Sequence, residues 1–307
     1  MGRPRRHPRS DHGLRRPQEG VRQHGADRDR AARHRPARPS GRLQVTVYTL
    51  AILKGGSGKT TTSADLAAAL VAMGRRVLAI DLDQQGNLTK RLGVTEDTEL
   101  SAVAADVLVG EASALEAAVP SPSVPGVSIL VGSQDLASLD QRPEIITSLR
   151  DMPELADHWD DVVIDTPPAL GLLTLSALAA ADVVIAPVEC ATEAYDQLGK
   201  LNEFVAQRVA PRLHVGQRIH WIVPTKYRHG RLIDREVVEV LTEQFPGRVT
   251  SPVREAVAAK DAYTDGKPVS VYAPGSAIAE DYAQALAPII GTPVPARKTA
   301  PPVPVTA

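Results

Sequence analysis

Lys54-Gly55-Gly56-Ser57-Gly58-Lys59-Thr60-Thr61 follows an apolar run at 47–53 and precedes a stretch at 60–73 with Leu66, Ala67, Leu70 and Val71 on a helical period. Strand, glycine loop, helix is the order a phosphate-cradling loop requires: glycines let backbone N–H groups turn inward, and the helix start favours anions. Lys59 supplies a cation for the β- and γ-phosphates, and the Thr60 hydroxyl suits Mg²⁺. The stretch therefore predicts a nucleoside-triphosphate site made by Gly55, Gly56, Ser57, Gly58, Lys59, Thr60 and Thr61. Two other readings of a glycine loop are a plain tight turn and a dinucleotide-binding turn. Gly56-x-Gly58-x-x-Thr61 lacks the third glycine of the dinucleotide fingerprint, although Asp81 stands at a suitable distance.

Outward from the loop, Gly74 offers a helix stop, and residues 76–80 form an apolar strand that runs into Asp81-Leu82-Asp83-Gln84-Gln85-Gly86-Asn87. The pattern recurs in Asp161-Val162-Val163-Ile164-Asp165-Thr166-Pro167-Pro168, where Asp165 closes an apolar strand and fits the acid that orients Mg²⁺ and its waters. Further strands are predicted at 127–131, 183–187 and 219–223, with a short segment near Val249. Helices are predicted at 100–109, 112–119, 171–181, 192–210, 232–245, 253–263 and 276–290, with a Pro/Gly loop at 120–126. This alternation predicts an α/β fold, a P-loop NTPase with a largely parallel twisted sheet and helices on both faces. Ligands of such sheets bind at the carboxyl ends of the strands, where Asp83 and Asp165 lie.

The net charge of −1 over 307 residues hides an asymmetry. Residues 1–44 hold 13 Arg and four acids, a charge of +9, and the remainder carries −10. With few large aliphatics this arm cannot repay its ordering entropy, and disorder is expected there. It reads as a nucleic-acid-binding tail, an inert linker, or the product of an upstream start assignment. Residues 45–291 form the ATPase domain, and the Pro-rich tail 292–307 is expected to be flexible. A single cysteine, Cys190, excludes an internal disulfide or a paired-cysteine cluster. No apolar run approaches the ~18 residues that cross a bilayer and no signal peptide opens the chain, so a cytoplasmic protein is expected.

The loop departs from the common spacing, because the first glycine of G-x-x-x-x-G-K-[ST] would fall at Leu53 and an additional lysine, Lys54, stands at its head. In this form the chain resembles the ParA/MinD family of deviant-Walker ATPases, most of all the Soj-type ParA partitioning ATPases, over 45–290. The family's D-x-D-P-Q-G-N stretch is matched at 81–87 with Gln84 in place of proline, which removes a φ restraint and restores an N–H. The Asp165 run, extended by Gly171-Leu172-Leu173-Thr174, resembles the family's second motif. Ile52-Leu53 replaces the Asn-Gln common in relatives, and Pro224-Thr225-Lys226-Tyr227 resembles the segment near the adenine.

The resemblance implies an ATPase with ATP and Mg²⁺ as cofactors. It implies an ATP-dependent homodimer in which Lys54 reaches the partner subunit's nucleotide. Asp83 would orient the attacking water, Thr60 and Asp165 would serve the metal, and Asp81 would support the metal shell or the loop. It further implies DNA partitioning: non-specific binding of double-stranded DNA by the ATP dimer, stimulation by a ParB-like adaptor, and association with the nucleoid. Basic residues at Arg228, Arg231, Arg235, Arg254 and Lys260 are the DNA candidates, each also readable as an ordinary surface charge. The chain ends without the basic amphipathic helix of MinD-like membrane ATPases, so no membrane partner is expected. The alternative is a nucleotide-switched scaffold that positions a protein cargo or conjugation machinery.

Overall fold

The computed structural model describes residues 45–152 and 155–291; the Arg-rich arm and the Pro-rich tail lie outside the described residues. The chain opens with β1 (Thr46–Leu50), α1 (Lys59–Ala72), β2 (Val77–Asp81), α2 (Asn87–Arg91), α3 (Ala104–Leu108) and α4 (Ala114–Ala117). Then come β3 (Val119–Pro120), β4 (Val127–Leu130), α5 (Leu136–Leu139), α6 (Leu155–His158), β5 (Asp161–Asp165), α7 (Leu172–Ala180) and β6 (Val183–Glu189). The last third holds α8 (Ala194–Phe204), β7 (Trp221–Thr225), α9 (Leu232–Gln244), α10 (Ala258–Thr264), α11 (Val269–Tyr272) and α12 (Ala277–Leu286).

The strands form a seven-stranded sheet in the order β3-β4-β2-β5-β1-β6-β7, parallel except for β3. Parallel pairing requires crossovers on both faces, so the central strands are buried on both sides. Side chains alternate accordingly: Val77 and Ala79 pack with Leu66, Leu70 and Tyr282 on one face, while Leu78 and Ile80 pack with Val162, Ile164 and Trp159 on the other. A third cluster joins Val184 and Ala186 to Leu198, Leu201, Val237 and Leu241. With β1 seated between β5 and β6, the glycine loop emerges beside the acid ends of β5 and β2, where Asp81 is in register with Asp165.

Several predicted boundaries move for identifiable reasons. The helix expected at 112–119 stops at Ala117, because Val119 and Pro120 pair antiparallel with Ile129 and Ser128. An edge strand tolerates proline, which has no N–H to give a ladder. The helix expected at 253–263 starts only at Ala258. Its first donors are used elsewhere: the N–H of Val253 donates to Pro224 O at 2.8 Å and that of Arg254 to Asp281 Oδ2 at 3.1 Å. The helix expected at 192–210 ends as a π turn over Val205–Val209, and α2, α5, α6 and α11 are short helices that sequence periodicity did not reveal.

Candidate nucleotide site

The glycine loop is held open by its own backbone and by β7. Gly58 takes φ 91°, a left-handed conformation, just before α1, and a Cβ there would lie 3.2 Å from Thr225 Cγ2. Thr225 in turn donates its hydroxyl to Ser57 O at 2.7 Å, pinning the loop to the end of β7. At the first turn of α1, Lys59 is 6% exposed, and its ammonium reaches the carbonyls of Ile52 and Lys54, each at 3.3 Å. Burial pushes its pKa down, offset in part by the charges of Asp165 and Asp83.

One helical position on, Thr60 donates to Asp165 Oδ2 at 2.7 Å, and Ser63 donates to Oδ1 at 2.9 Å. Asp165 is fully buried, and burial pushes its pKa up to about 6. Asp81, one strand over, is pushed up to about 7 by burial and then by Asp165. Its oxygens face the loop rather than Thr60: Oδ1 accepts from Asp83 N at 3.2 Å, and Oδ2 accepts from the N–H and hydroxyl of Thr89, both at 2.9 Å. Asp81 thus ties the start of α2 to the strand. Asp83 instead lines the cavity, with Oδ1 accepting from Gln85 N at 3.0 Å.

The cavity, of about 610 Å³, runs from Gly55, Gly56, Gly58, Lys59, Thr60 and Thr61 across to α10. Not every residue expected at the nucleotide reaches it. Ser57 is buried with its hydroxyl unpartnered, and Pro224 lies within β7, so Thr225 and Lys226 line the wall in its place. Lys54 points to the end of β6, where its ammonium meets Glu189 at 3.0 Å; Lys226 shares that carboxylate at 3.6 Å. Lys226, in the segment expected near the adenine, is on the wall, and so is Arg91, which sequence reasoning missed. A φ of 52° at Lys226, unusual for a residue with a Cβ, marks it only once the backbone is known.

Three of the five DNA candidates meet carboxylates, two of them buried and one, at Arg235, exposed. Arg228 forks onto fully buried Asp234 at 2.9 and 3.0 Å, Arg254 forks onto Asp281, and Arg235 meets Glu239 at 3.5 Å. The basic excess expected at 226–235 is therefore largely neutralised within the fold. Among the described residues Arg231 and Lys260 have no carboxylate within ion-pair distance.

The donor set fits a magnesium triphosphate. A buried lysine with only carbonyl partners, loop N–H groups and glycines in open conformations match the phosphates, and Thr60 with Asp165 matches the cation and its waters. Among the described residues no group of three or more His, Cys, Asp or Glu could hold a metal by itself, so other ligands would come from phosphate and water. If Asp165 orients Mg²⁺ it would do so only when ionised, and ATP-Mg²⁺ affinity would then fall about tenfold per pH unit below about 6. Calorimetric titrations at pH 7.5, 6 and 5 check this. Without nucleotide the two raised carboxyls make the folded state the better proton binder from the ordinary carboxylate range up to about 7. Their contribution to stability accordingly weakens as pH rises through that window.

Comparison with known proteins agrees with this geometry. A family model described as an AAA domain matches residues 45–215. The sporulation initiation inhibitor protein Soj of Bacillus subtilis is 33% identical over 235 residues, covering 75% of this chain and 92% of Soj. The chromosome partitioning protein ParA of Caulobacter vibrioides is 35% identical over 239 residues, covering 74% of this chain and 87% of that protein. Among solved structures, the septum site-determining protein MinD of Pyrococcus horikoshii, complexed with Mg-ADP, is similar at a TM-score of 0.65. It is 25% identical, with 80% of this chain and 96% of that one covered. The Mg-ADP carried by that neighbour is the kind of ligand this donor set fits. A glycine loop headed by Lys54, the Thr60–Asp165 pair and these relatives together place the chain in the ParA/MinD family of deviant-Walker ATPases, beside the ParA and Soj partition proteins.

Proposed function

We propose that this chain is a Mg²⁺-dependent DNA-partitioning ATPase that dimerises on ATP, holds DNA non-specifically, and hydrolyses ATP to ADP and phosphate when a ParB-like adaptor stimulates it. The observation that carries the reading is the Thr60–Asp165 hydrogen bond beside the buried Lys59, with Asp83 at the same cavity. Phosphoryl transfer to water needs a cradle, a cation site and a group to position the water, and these residues supply them. Lys59 and the loop N–H groups hold the β- and γ-phosphates, Thr60 and Asp165 position the cation, and Asp83 orients the attacking water. In this reading Asp81 organises the loop that carries Asp83, through Thr89. Lys54 releases Glu189 and turns to the partner subunit's nucleotide, which makes the dimer depend on ATP. Among the described residues no helix is long and apolar enough to cross a membrane.

DNA retention by the full chain with no nucleotide, ADP-Mg²⁺ or ATP-Mg²⁺ tests the reading; retention only with ATP is expected. Of the basic candidates, Arg231→Ala with Lys260→Ala should weaken retention and flatten its salt dependence by up to two charges. Arg228→Ala should instead lower the melting temperature, because it strands the buried Asp234 carboxylate. The pairing of Arg228 and Arg254 with buried carboxylates, with the −10 charge beyond the arm, favours a second reading, the nucleotide-switched scaffold for a protein cargo. ATP-dependent dimerisation without DNA retention at any salt would select it.

A further inference from the structure

A second cation stands at the far wall of the nucleotide cavity. Arg91, the last residue of α2, is 6% exposed and lines the same cavity as Lys59 and Thr61. The half-buried arginines Arg75, Arg76 and Arg254 are each matched to a carboxylate, Asp161, Asp160 and Asp281 in turn, whereas half-buried Arg248 reaches the Ile219 carbonyl. Arg91 is not matched to a carboxylate. Its guanidinium makes one hydrogen bond, from Nη2 to Ala259 O at 3.3 Å, while Nε and Nη1 are buried without an acceptor. The group rests over the Tyr263 ring at 5.2 Å, and the Tyr263 hydroxyl donates to Asn87 Oδ1 at 2.8 Å. Buried Asp65 attracts it, but the Asp65 oxygens accept the N–H groups of Val269 at 3.1 Å and Ser270 at 2.8 Å. Burial accordingly disfavours the charged form of Arg91 and lowers its pKa.

A buried guanidinium with unused donors lacks the compensation that charge normally requires inside a protein. The missing partner must be an acceptor, and a planar fork with two free N–H groups suits a phosphate oxygen. Position narrows the choice. Asp65 and Thr61 are one turn apart on α1 and share a helix face, so a guanidinium drawn to Asp65 lies beside the face that carries Thr61. We propose that Arg91 is a phosphate-recognising residue of the nucleotide site, outside the glycine loop, that leaves Tyr263 to bind a nucleotide phosphate on the nucleoside side of Lys59. It therefore serves ATP and ADP alike, whereas Asp83 matters for turnover. The inference rests on the ATP reading of this cavity.

Calorimetric titration of the full chain with ATP-Mg²⁺ and ADP-Mg²⁺, wild type against Arg91→Met and Arg91→Lys, tests it. Arg91→Met should weaken both nucleotides by about 10- to 100-fold, the range for losing a hydrogen bond to a charged group, and Arg91→Lys should recover part of the loss. The melting temperature without nucleotide should hold within a few degrees, because among the described residues Arg91 has no carboxylate within ion-pair distance and Asp65, which loses only its longer-range attraction, keeps the N–H groups of Val269 and Ser270. Unchanged ATP and ADP affinities in Arg91→Met overturn the proposal, as does a lowered melting temperature with affinities intact, which would make Arg91 a packing residue. Inorganic phosphate that still binds the ATP-saturated wild type, and is lost in Arg91→Met, would overturn it in favour of a separate anion site. Failure of the wild type itself to bind ATP would instead remove the ATP reading on which the proposal stands.

Discussion

Lys59→Ala is expected to lower ATP turnover by about 100- to 1,000-fold, the scale for losing a positioned donor that stabilises charge in the transition state. The side chain sits in the cavity with only the carbonyls of Ile52 and Lys54 as partners. Those two bonds compensate poorly for burial, which is why its pKa falls. Triphosphate oxygens supply the missing negative charge, so the lysine contributes most when nucleotide is bound. Phosphate release and nucleotide titration of the variant, with melting of the nucleotide-free protein as control, should show lost turnover, weaker ATP binding and an undiminished melting temperature. Turnover within about threefold of wild type would falsify the phosphate role.

Asp83→Ala is expected to lower turnover by about 100- to 10,000-fold, the span for a positioned general acid or base, with ATP-Mg²⁺ affinity within about threefold of wild type. Separation of the two effects follows from placement. Asp83 lines the cavity from the β2 side, with its hydrogen bond to Gln85 N and only its charge reaching Lys59 and Asp165, so removing it leaves the hydrogen bonds of the cradle in place. An ATP-bound form that cannot hydrolyse should retain DNA longer than wild type. Because Asp83 also accepts from Gln85 N, Asp83→Asn is the needed companion: it can keep that acceptor and lacks the charge. If the asparagine restores turnover, Asp83 acts by holding the loop and the water-orienting role is wrong.

The chemistry of the loop was legible because it is local. Glycines at 55, 56 and 58, Lys59 and Thr60 are adjacent in the chain, and the flanking apolar periods set strand and helix without reference to distant residues. Sheet order was less accessible. Apolar runs at β2 and β5 announce buried strands, but their pairing, with Asp81 beside Asp165, depends on which crossovers pack. The short helices α2, α5 and α11 were missed because four or five residues carry little periodicity, and α2 is held by a tertiary bond from Thr89 to Asp81.

Partner choice for charged side chains was beyond sequence reasoning. Arg228 and Arg254 look like free cations, yet Asp234 and Asp281 take them; Lys54 is expected to reach the partner subunit's nucleotide, yet Glu189 of the same chain holds it. Such pairs join residues up to 135 positions apart, and long flexible side chains leave no trace of their partner in local pattern. Sequence alone determined that this chain is an α/β nucleotide-binding protein with its phosphate loop at 54–61 and acids at the ends of two strands, because backbone conformation and binary patterning are read within a few residues. Tertiary structure alone decided that Asp81 serves the loop while Thr60 meets Asp165, and that Arg91 lies buried with unused donors at the cavity wall, because burial and hydrogen-bond partnership are properties of packed neighbours.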